Sequence, residues 1–381
     1  MTVPFTGLDA QKQRLRSGIN AAIAAVIDHG NFIMGPEVAI FERQLASFCS
    51  SAHAVSVANG TDALQISLMA LGLKAGDRVF VPSFTYTATA EVIIVLGGIP
   101  IFVDVDPTTF NIDCDDLCEK IARENNRGNT LFGVIAVDLF GLPAEWSRLN
   151  EICQDEGLRL IADAAQSFGA INADGRHVGT LAPVTTTSFF PAKPLGCYGD
   201  GGAIFTEDSD LAEVLRSIRV HGAGAAKYET VRVGMNSRLD TLQAAILIEK
   251  LAVFAEEISR REALARYYSK HLTDSLTVPS VPNGVTSAWA QYTILSEARE
   301  ALQAHLLQRG VPTAIYYPQP MHLQPAYAEY GDGAGTLPIS ERLSKEVLSL
   351  PMSPYWTEEH AEIVIESVND FQFEKASASA A

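Results

Sequence analysis

Two groups stand out by type and setting. Lys193 lies in Ser188-Phe189-Phe190-Pro191-Ala192-Lys193-Pro194-Leu195-Gly196-Cys197-Tyr198-Gly199-Asp200-Gly201-Gly202, and Asp163 opens Asp163-Ala164-Ala165-Gln166 one predicted sheet crossover upstream. An amine and a carboxylate so placed match the needs of pyridoxal phosphate. The lysine holds the cofactor as a Schiff base, and the carboxylate keeps the ring nitrogen protonated so that the ring can accept the electrons of a carbanion. Asp163 ends the apolar run Leu158-Arg159-Leu160-Ile161-Ala162, and Lys193 follows a second run from Val184 to Phe190, so both fall at predicted strand ends. Ligands of open α/β sheets bind in that region. Each residue alone has an ordinary reading, a helix cap for the aspartate and a solvated charge for the lysine. Their combination, flanked by glycines, carries the chemistry.

The cofactor's phosphate also needs a seat. Asn59-Gly60-Thr61-Asp62-Ala63-Leu64 falls between a predicted strand and a predicted helix, which points the amides of Gly60, Thr61 and Asp62 out of a helix N-terminus. Alone, this is a strand-to-helix turn capped by Thr61 or Asp62; beside Lys193 and Asp163 it suits the phosphate. Ser188 offers a hydroxyl to the same group. Tyr86 follows Pro82-Ser83-Phe84-Thr85 at the next strand end, where its flat ring can stack on the cofactor.

These residues need a sheet to position them, and the chain alternates accordingly. Apolar spacing predicts a helix from Asp9 to His29 with Leu15, Ile19, Ile23, Val26 and Ile27 on one face, stopped by Gly30, and a second helix carrying Phe41, Leu45 and Phe48. Strands are expected at Ala54–Ala58, Arg78–Pro82, Ile101–Val105, Leu131–Val137 and Leu158–Ala162. Helices between and after them are expected at Asp62–Leu71, Thr87–Leu96, Asp113–Arg123 and Glu145–Glu156. That rhythm gives a mainly parallel α/β sheet covered on both faces. A returning strand at Ala203–Thr206, a helix at Asp208–Arg219, a flexible connection at His221–Lys227 and a long helix from Leu239 to Tyr268 follow. The proline-rich connections at Pro279, Pro282, Pro312, Pro318 and Pro320 mark a change of composition. The division is a large domain over 1–255, a smaller α+β domain over 256–373, and a disordered Ser/Ala tail over 374–381.

Bulk composition bounds the function. A chain of 381 residues, 47% hydrophobic and 19% charged, can bury a large core. Its net charge of −17 argues against nucleic acid or an anionic membrane as partner. Its five cysteines lack CxxC spacing, so neither a disulfide framework nor a zinc site is indicated, and a reducing cytoplasm fits. The apolar stretch from Val92 to Val103 is broken by Gly97-Gly98 and Pro100, so no membrane span is expected.

The NGTDAL turn, the DAAQ segment, SFFPAKPLGCYGDGGAIFT, and Gly234-Met235-Asn236-Ser237-Arg238-Leu239-Asp240 with Gln243-Ala244-Ala245 resemble the DegT/DnrJ/StrS family of nucleotide-sugar aminotransferases over nearly the whole chain. The resemblance implies the fold-type I pyridoxal phosphate aminotransferase architecture and homodimers with shared active sites. Carried over by motif, Lys193 anchors the cofactor, Asp163 pairs with the pyridine nitrogen, and Gln166 bonds the ring hydroxyl. Tyr86 stacks on the ring, and Gly60, Thr61 and Ser188 hold the phosphate. Asn236 and Arg238 reach in from the partner subunit. Within the family the resemblance is nearest to the aminotransferases of UDP-2-acetamido-2-deoxy-3-oxo-glucuronate. It implies L-glutamate as amino donor, a nucleotide sugar as acceptor, and a place in surface polysaccharide synthesis, such as lipopolysaccharide O-antigen.

Sugar contacts are expected from Arg238, Tyr316, Tyr317 and His322, with Arg219, His221 and Arg232 as further cations. In Pro312-Thr313-Ala314-Ile315-Tyr316-Tyr317-Pro318, Tyr316 stands where those relatives carry a histidine, which keeps a dTDP-3-keto-6-deoxyhexose open as substrate. Family members that are sugar dehydratases carry histidine in place of the lysine, so Lys193 argues against that activity. The complete set of anchor, ring partner and phosphate turn argues against a non-catalytic regulator. A nicotinamide dehydrogenase lacks its G-x-G-x-x-G turn here.

Overall fold

The computed structural model describes residues 3–272 and 276–379. In chain order its elements are α1 (Leu8–His29), α2 (Pro36–Cys49), β1 (His53–Val57), α3 (Gly60–Leu71), β2 (Arg78–Pro82), α4 (Ala88–Val95), β3 (Ile99–Val103), α5 (Cys114–Asn126), β4 (Leu131–Val137), α6 (Trp146–Asp155), β5 (Arg159–Asp163), β6 (Val184–Ser188), β7 (Gly202–Thr206), α7 (Ser209–Ile218), α8 (Thr241–His271), β8 (Tyr292–Leu295), α9 (Arg299–Gln308), α10 (Pro338–Glu346), β9 (Val347–Leu350) and α11 (Glu358–Ser379). The chain's own punctuation sets many boundaries. Gly30 ends α1 in the left-handed region with its N–H on the Val26 carbonyl. The side chains of Asn59, Asp113 and Asp208 cap α3, α5 and α7 by accepting amides of their first turns.

Seven strands form the main sheet in the order β1-β7-β6-β5-β4-β2-β3. All run in one direction except β7, which is antiparallel to both β1 and β6. The strands are buried on both faces, as their continuous apolar runs require. One face packs Phe41, Leu117, Leu149 and Phe254 from α2, α5, α6 and α8; the other packs Leu64, Ile93 and Leu215 from α3, α4 and α7. This is the architecture of fold-type I.

A third core joins the later half of α8 to α9, α11 and the β8–β9 pair through Tyr268, Leu302, Leu348 and Val364. The helix α8 is continuous over 31 residues, so the sequence division at 255/256 falls inside a single rod.

Several local expectations are corrected. The strand placed at Ile101–Val105 begins at Ile99 and runs through Pro100, which an edge strand tolerates; Val105 instead pairs with Ile112. Ile27 does not join the buried face of α1 but is exposed, together with Phe32, Ile33 and Met34. The connection at His221–Lys227 is folded into an arm closed by an Ala223–Thr230 bridge and the Gly224 N–H to Glu229 carbonyl bond. Helix α11 runs through Ser379, into the segment expected as a tail, of which Ala380 and Ala381 lie outside the described residues. Among the described residues no helix is long and apolar enough to cross a membrane.

Candidate active site

The C-terminal ends of β1, β2, β4, β5 and β6 open onto one cavity of about 640 Å³. Its wall includes Gly60, Thr61, Asp62, Tyr86, Asp163, Gln166, Ser188, Lys193, Tyr316 and Tyr317. Residues spread over more than 250 positions of sequence thus meet where the parallel strands end, as the strand-end argument requires.

Asp163 is the last residue of β5 and is buried. Its Oδ2 accepts from the Thr89 hydroxyl at 2.9 Å and its Oδ1 from the Ala165 amide at 3.2 Å. Burial pushes its pKa up, while the Thr89 hydroxyl, the Ala165 amide and the Lys193 charge oppose that rise. Lys193 shows the complementary shift: loss of water lowers its pKa and Asp163 pulls it back. An amine so destabilised as a cation can act as nucleophile and as base.

The Lys193 loop is folded on itself. The Lys193 amide donates to the Phe190 carbonyl at 2.8 Å, and Cys197 donates to the Phe189 carbonyl at 2.8 Å.

Across the cavity, the Asn59 side chain takes the Asp62 amide at 2.7 Å and caps α3. The amides of Gly60 and Thr61 precede the first helical hydrogen bond and have no partner within the helix. A Cβ on Gly60 would lie 2.7 Å from Ser188 Cβ, so glycine lets the helix N-terminus meet the end of β6. That cradle of two amides and the Ser188 hydroxyl suits a phosphate. Gln166 accepts the Phe140 amide at 2.8 Å through Oε1 and reaches the Tyr317 hydroxyl at 3.3 Å through Nε2, which leaves its amine end beside the cavity. Tyr86 stands half-exposed at the rim, its ring 6.2 Å from that of Tyr317. The set fits pyridoxal phosphate: an amine, a buried carboxylate, a phosphate cradle and an aromatic cover.

Other expected contacts fall elsewhere. His322 does not line this cavity. It is buried in a short 3-10 turn, with Nδ1 2.7 Å from Ser83 Oγ and Nε2 3.2 Å from Glu341, because the turn aims it into the body of the protein. Arg219 is likewise buried and structural, donating to Glu42 Oε1 at 2.5 Å and to the Ser56 carbonyl at 2.7 Å. Asn236 and Arg238 lie outside this chain's own cavity; Asn236 is exposed and pairs with Val220. Sequence spacing also missed groups that the structure brings in. Thr85, Thr186, Thr187 and Gln291 line the cavity, and Thr89 stands behind Asp163. Asp138 sits buried beneath Ser167, accepting its hydroxyl at 2.6 Å, with its own pKa pushed up to about 7 by burial. Of these only Thr89 stands out in the sequence, as a polar residue inside the mostly apolar α4; Thr85, Asp138 and Gln291 fall just outside strands, and Thr186 and Thr187 lie in a threonine-rich one.

The family model of the DegT/DnrJ/EryC1/StrS aminotransferases matches residues 13–369. The chain belongs to that family. Among its relatives is the UDP-2-acetamido-2-deoxy-3-oxo-D-glucuronate aminotransferase of Pseudomonas aeruginosa, 46% identical over 354 residues, covering 93% of this chain and 96% of the relative. A DegT/DnrJ/EryC1/StrS aminotransferase from Brucella abortus, solved as a crystal structure, superposes with a TM-score of 0.94 at 48% identity, over 96% of this chain and 98% of that one. NtdA of Bacillus subtilis, solved with bound cofactor PMP, superposes with a TM-score of 0.88 at 30% identity, over 96% of this chain and 84% of that one. This aminotransferase is therefore a pyridoxal phosphate enzyme, and its cavity is where the cofactor fits.

Proposed function

We propose that this aminotransferase moves the amino group of L-glutamate to the C-3 keto group of UDP-2-acetamido-2-deoxy-3-oxo-D-glucuronate. It does so as a cytoplasmic homodimer that feeds bacterial surface polysaccharide, such as lipopolysaccharide O-antigen. The observation that carries the reading is the half-buried Lys193 beside the buried Asp163 in a cavity seated on the α3 N-terminus, in a chain nearly half identical to the Pseudomonas enzyme over almost its full length.

Pyridoxal phosphate, when bound, supplies an electrophilic carbon and a ring that withdraws electrons. The Gly60 and Thr61 amides and the Ser188 hydroxyl hold its phosphate. Asp163 faces the ring nitrogen as a carboxylate, held by Thr89 and Ala165. Gln166 donates to the ring hydroxyl and Tyr86 covers the ring. Lys193 is the covalent anchor; once freed, its Nζ takes the proton from the α-carbon of glutamate and in the second half delivers one to C-3 of the sugar. Its lowered pKa, caused by loss of water, favours the neutral amine that the first task needs.

The charge of the substrate supports the dimer. The cavity's described wall carries Asp62, Asp163 and Asp200 against the single cation Lys193. A nucleotide diphosphate with a uronate needs more positive charge than that. Arg238 of a second copy, reaching in with Asn236, provides a planar partner for a carboxylate. The exposed apolar set Ile27, Phe32, Ile33 and Met34 offers the surface that a second copy would bury. Tyr316 and Tyr317 line the sugar's side of the cavity.

Tyr316 also favours one other reading, a neutral dTDP-3-keto-6-deoxyhexose, because a phenol does not neutralise a carboxylate. Incubating the purified protein with glutamate and each of several 3-keto and 4-keto nucleotide sugars, and following 2-oxoglutarate and the amino sugar, separates the two. The uronate is expected to turn over with the highest kcat/KM; a higher value for the deoxyhexose would overturn the assignment.

A further inference from the structure

The helix behind the Lys193 loop carries a buried charge that the chemistry above does not use. Lys250, in the first half of α8, is 1% exposed. Its Nζ donates to the Gly196 carbonyl at 2.5 Å and stands 4.4 Å from the centre of the Tyr198 ring. Seven residues earlier on the same helix, and so on the same face, Gln243 accepts the Tyr198 amide at 2.9 Å. Two side chains of one rigid rod therefore grip the segment 196–198. The far side of that segment is tied to the end of β6 through the Cys197 amide and the Phe189 carbonyl. The loop is compact enough that a Cβ on Gly196 would lie 2.5 Å from the Pro191 carbonyl oxygen and 2.7 Å from that of Phe190. Lys193 sits between these fixed ends, three residues before Gly196.

An ammonium group in such a place is expensive for the fold. Burial lowers the Lys250 pKa to about 8, against the opposing charges of Glu257 and Cys197. Glu257 is not a direct partner, because its carboxylate accepts Gln11 Nε2 at 2.9 Å and the Tyr355 hydroxyl at 2.5 Å. A methionine would fill the same space without that cost, so the charge is retained for what it holds.

We infer that Lys250 is a positioning residue for the cofactor lysine. By tying the Gly196 carbonyl and the Tyr198 ring to α8, it fixes the loop so that Lys193 Nζ meets the aldehyde carbon of pyridoxal phosphate. There the N–C bond forms and the aldehyde oxygen leaves as water. The inference rests on the reading of Lys193 as anchor, and pyridoxamine phosphate provides the control: it lacks the aldehyde and cannot bond to Lys193, yet uses the same phosphate cradle and ring partners.

The test compares wild type, Lys250→Met and Lys250→Arg. Three quantities are read: the rate of covalent capture of pyridoxal phosphate, followed by absorbance and fixed to Lys193 with borohydride; the Kd for pyridoxamine phosphate; and the thermal midpoint. Lys250→Met is expected to slow capture about tenfold or more, which corresponds to losing one charge-assisted hydrogen bond. Its pyridoxamine phosphate affinity should stay within about twofold of wild type, well inside the energy of such a bond, and its midpoint should not fall. Lys250→Arg should recover part of the rate. If Lys250→Met does not fold, Gln243→Leu releases the same segment from a half-buried position and should give the same split. Capture at the wild-type rate, or parallel losses in capture, pyridoxamine phosphate affinity and midpoint, would overturn the inference. Failure of wild type itself to capture the cofactor on Lys193 would instead remove the reading of the site, and this inference with it.

Discussion

Replacing Thr89 by valine tests the electrostatics of the site with little change of shape. Thr89 is fully buried near the start of α4, and its hydroxyl donates to Asp163 Oδ2 at 2.9 Å. Valine keeps the branched shape and deletes the donor. A hydrogen bond to a charged group is worth about 1.5–3 kcal/mol, and each pKa unit corresponds to about 1.36 kcal/mol. The Asp163 pKa, already raised by burial, should therefore climb by about 1–2 further units. Asp163 must be ionised to keep the ring nitrogen protonated, so activity is lost when pH falls through its pKa. Raising that pKa moves the acid limb of the kcat/KM profile to higher pH by the same amount, and the absorbance titration of the bound cofactor should move with it. Thr89→Ser restores the hydroxyl and should restore both curves. Acid limbs that superimpose for wild type and Thr89→Val, or a serine variant that behaves like valine, would rule out this role for the Thr89 hydroxyl.

Other outcomes follow from the same geometry. Gly60→Ala forces a Cβ to 2.7 Å from Ser188 Cβ and should cost about 1–3 kcal/mol, seen as cofactor affinity roughly 5- to 150-fold weaker in an equilibrium titration; unchanged affinity would place the phosphate elsewhere. Mixing Lys193→Ala with Asn236→Ala protomers should regenerate activity in hybrids with one intact composite site, and no recovery despite subunit exchange by mass spectrometry would remove the shared site. Lys250 has a folded pKa of about 8, below the usual lysine value of 10.5, so between those values the unfolded chain binds more protons. Wild-type stability should accordingly gain a contribution as pH rises from about 8 toward 10.5 that Lys250→Met lacks. Thermal midpoints of the two proteins across that range check it, and parallel curves would contradict it.

Much of the fold was legible because strands buried on both faces leave long apolar runs, and because Gly30, Asn59, Asp113 and Asp208 mark helix ends chemically. Asp163 and Lys193 were legible for a similar reason: Asp163 ends an apolar run and Lys193 follows the β-branched run Val184–Thr187, so the strand ends that bind ligands could be located without coordinates. What stayed hidden depends on packing between distant segments. Arg219 reads as a free cation until Glu42, 177 residues away, is seen to accept from it. Lys250 looks like any helix lysine in a sequence, and only the crossing of α8 behind residues 196–198 buries it. His322 follows Tyr316 and Tyr317 closely in sequence, yet the intervening turn aims its ring at Ser83 and not at the cavity they line. Ile27 fits the apolar periodicity of α1, yet periodicity cannot distinguish a face buried within one chain from a face left exposed on it.

Whether Lys193 bonds the cofactor and drives amino transfer is read by borohydride reduction of the cofactor-loaded protein followed by peptide mass mapping. A single phosphopyridoxyl adduct on Lys193 is expected, lost on prior incubation with glutamate, together with an inactive Lys193→Ala protein. An adduct on another lysine, or turnover by Lys193→Ala at the wild-type rate, would contradict this role for Lys193.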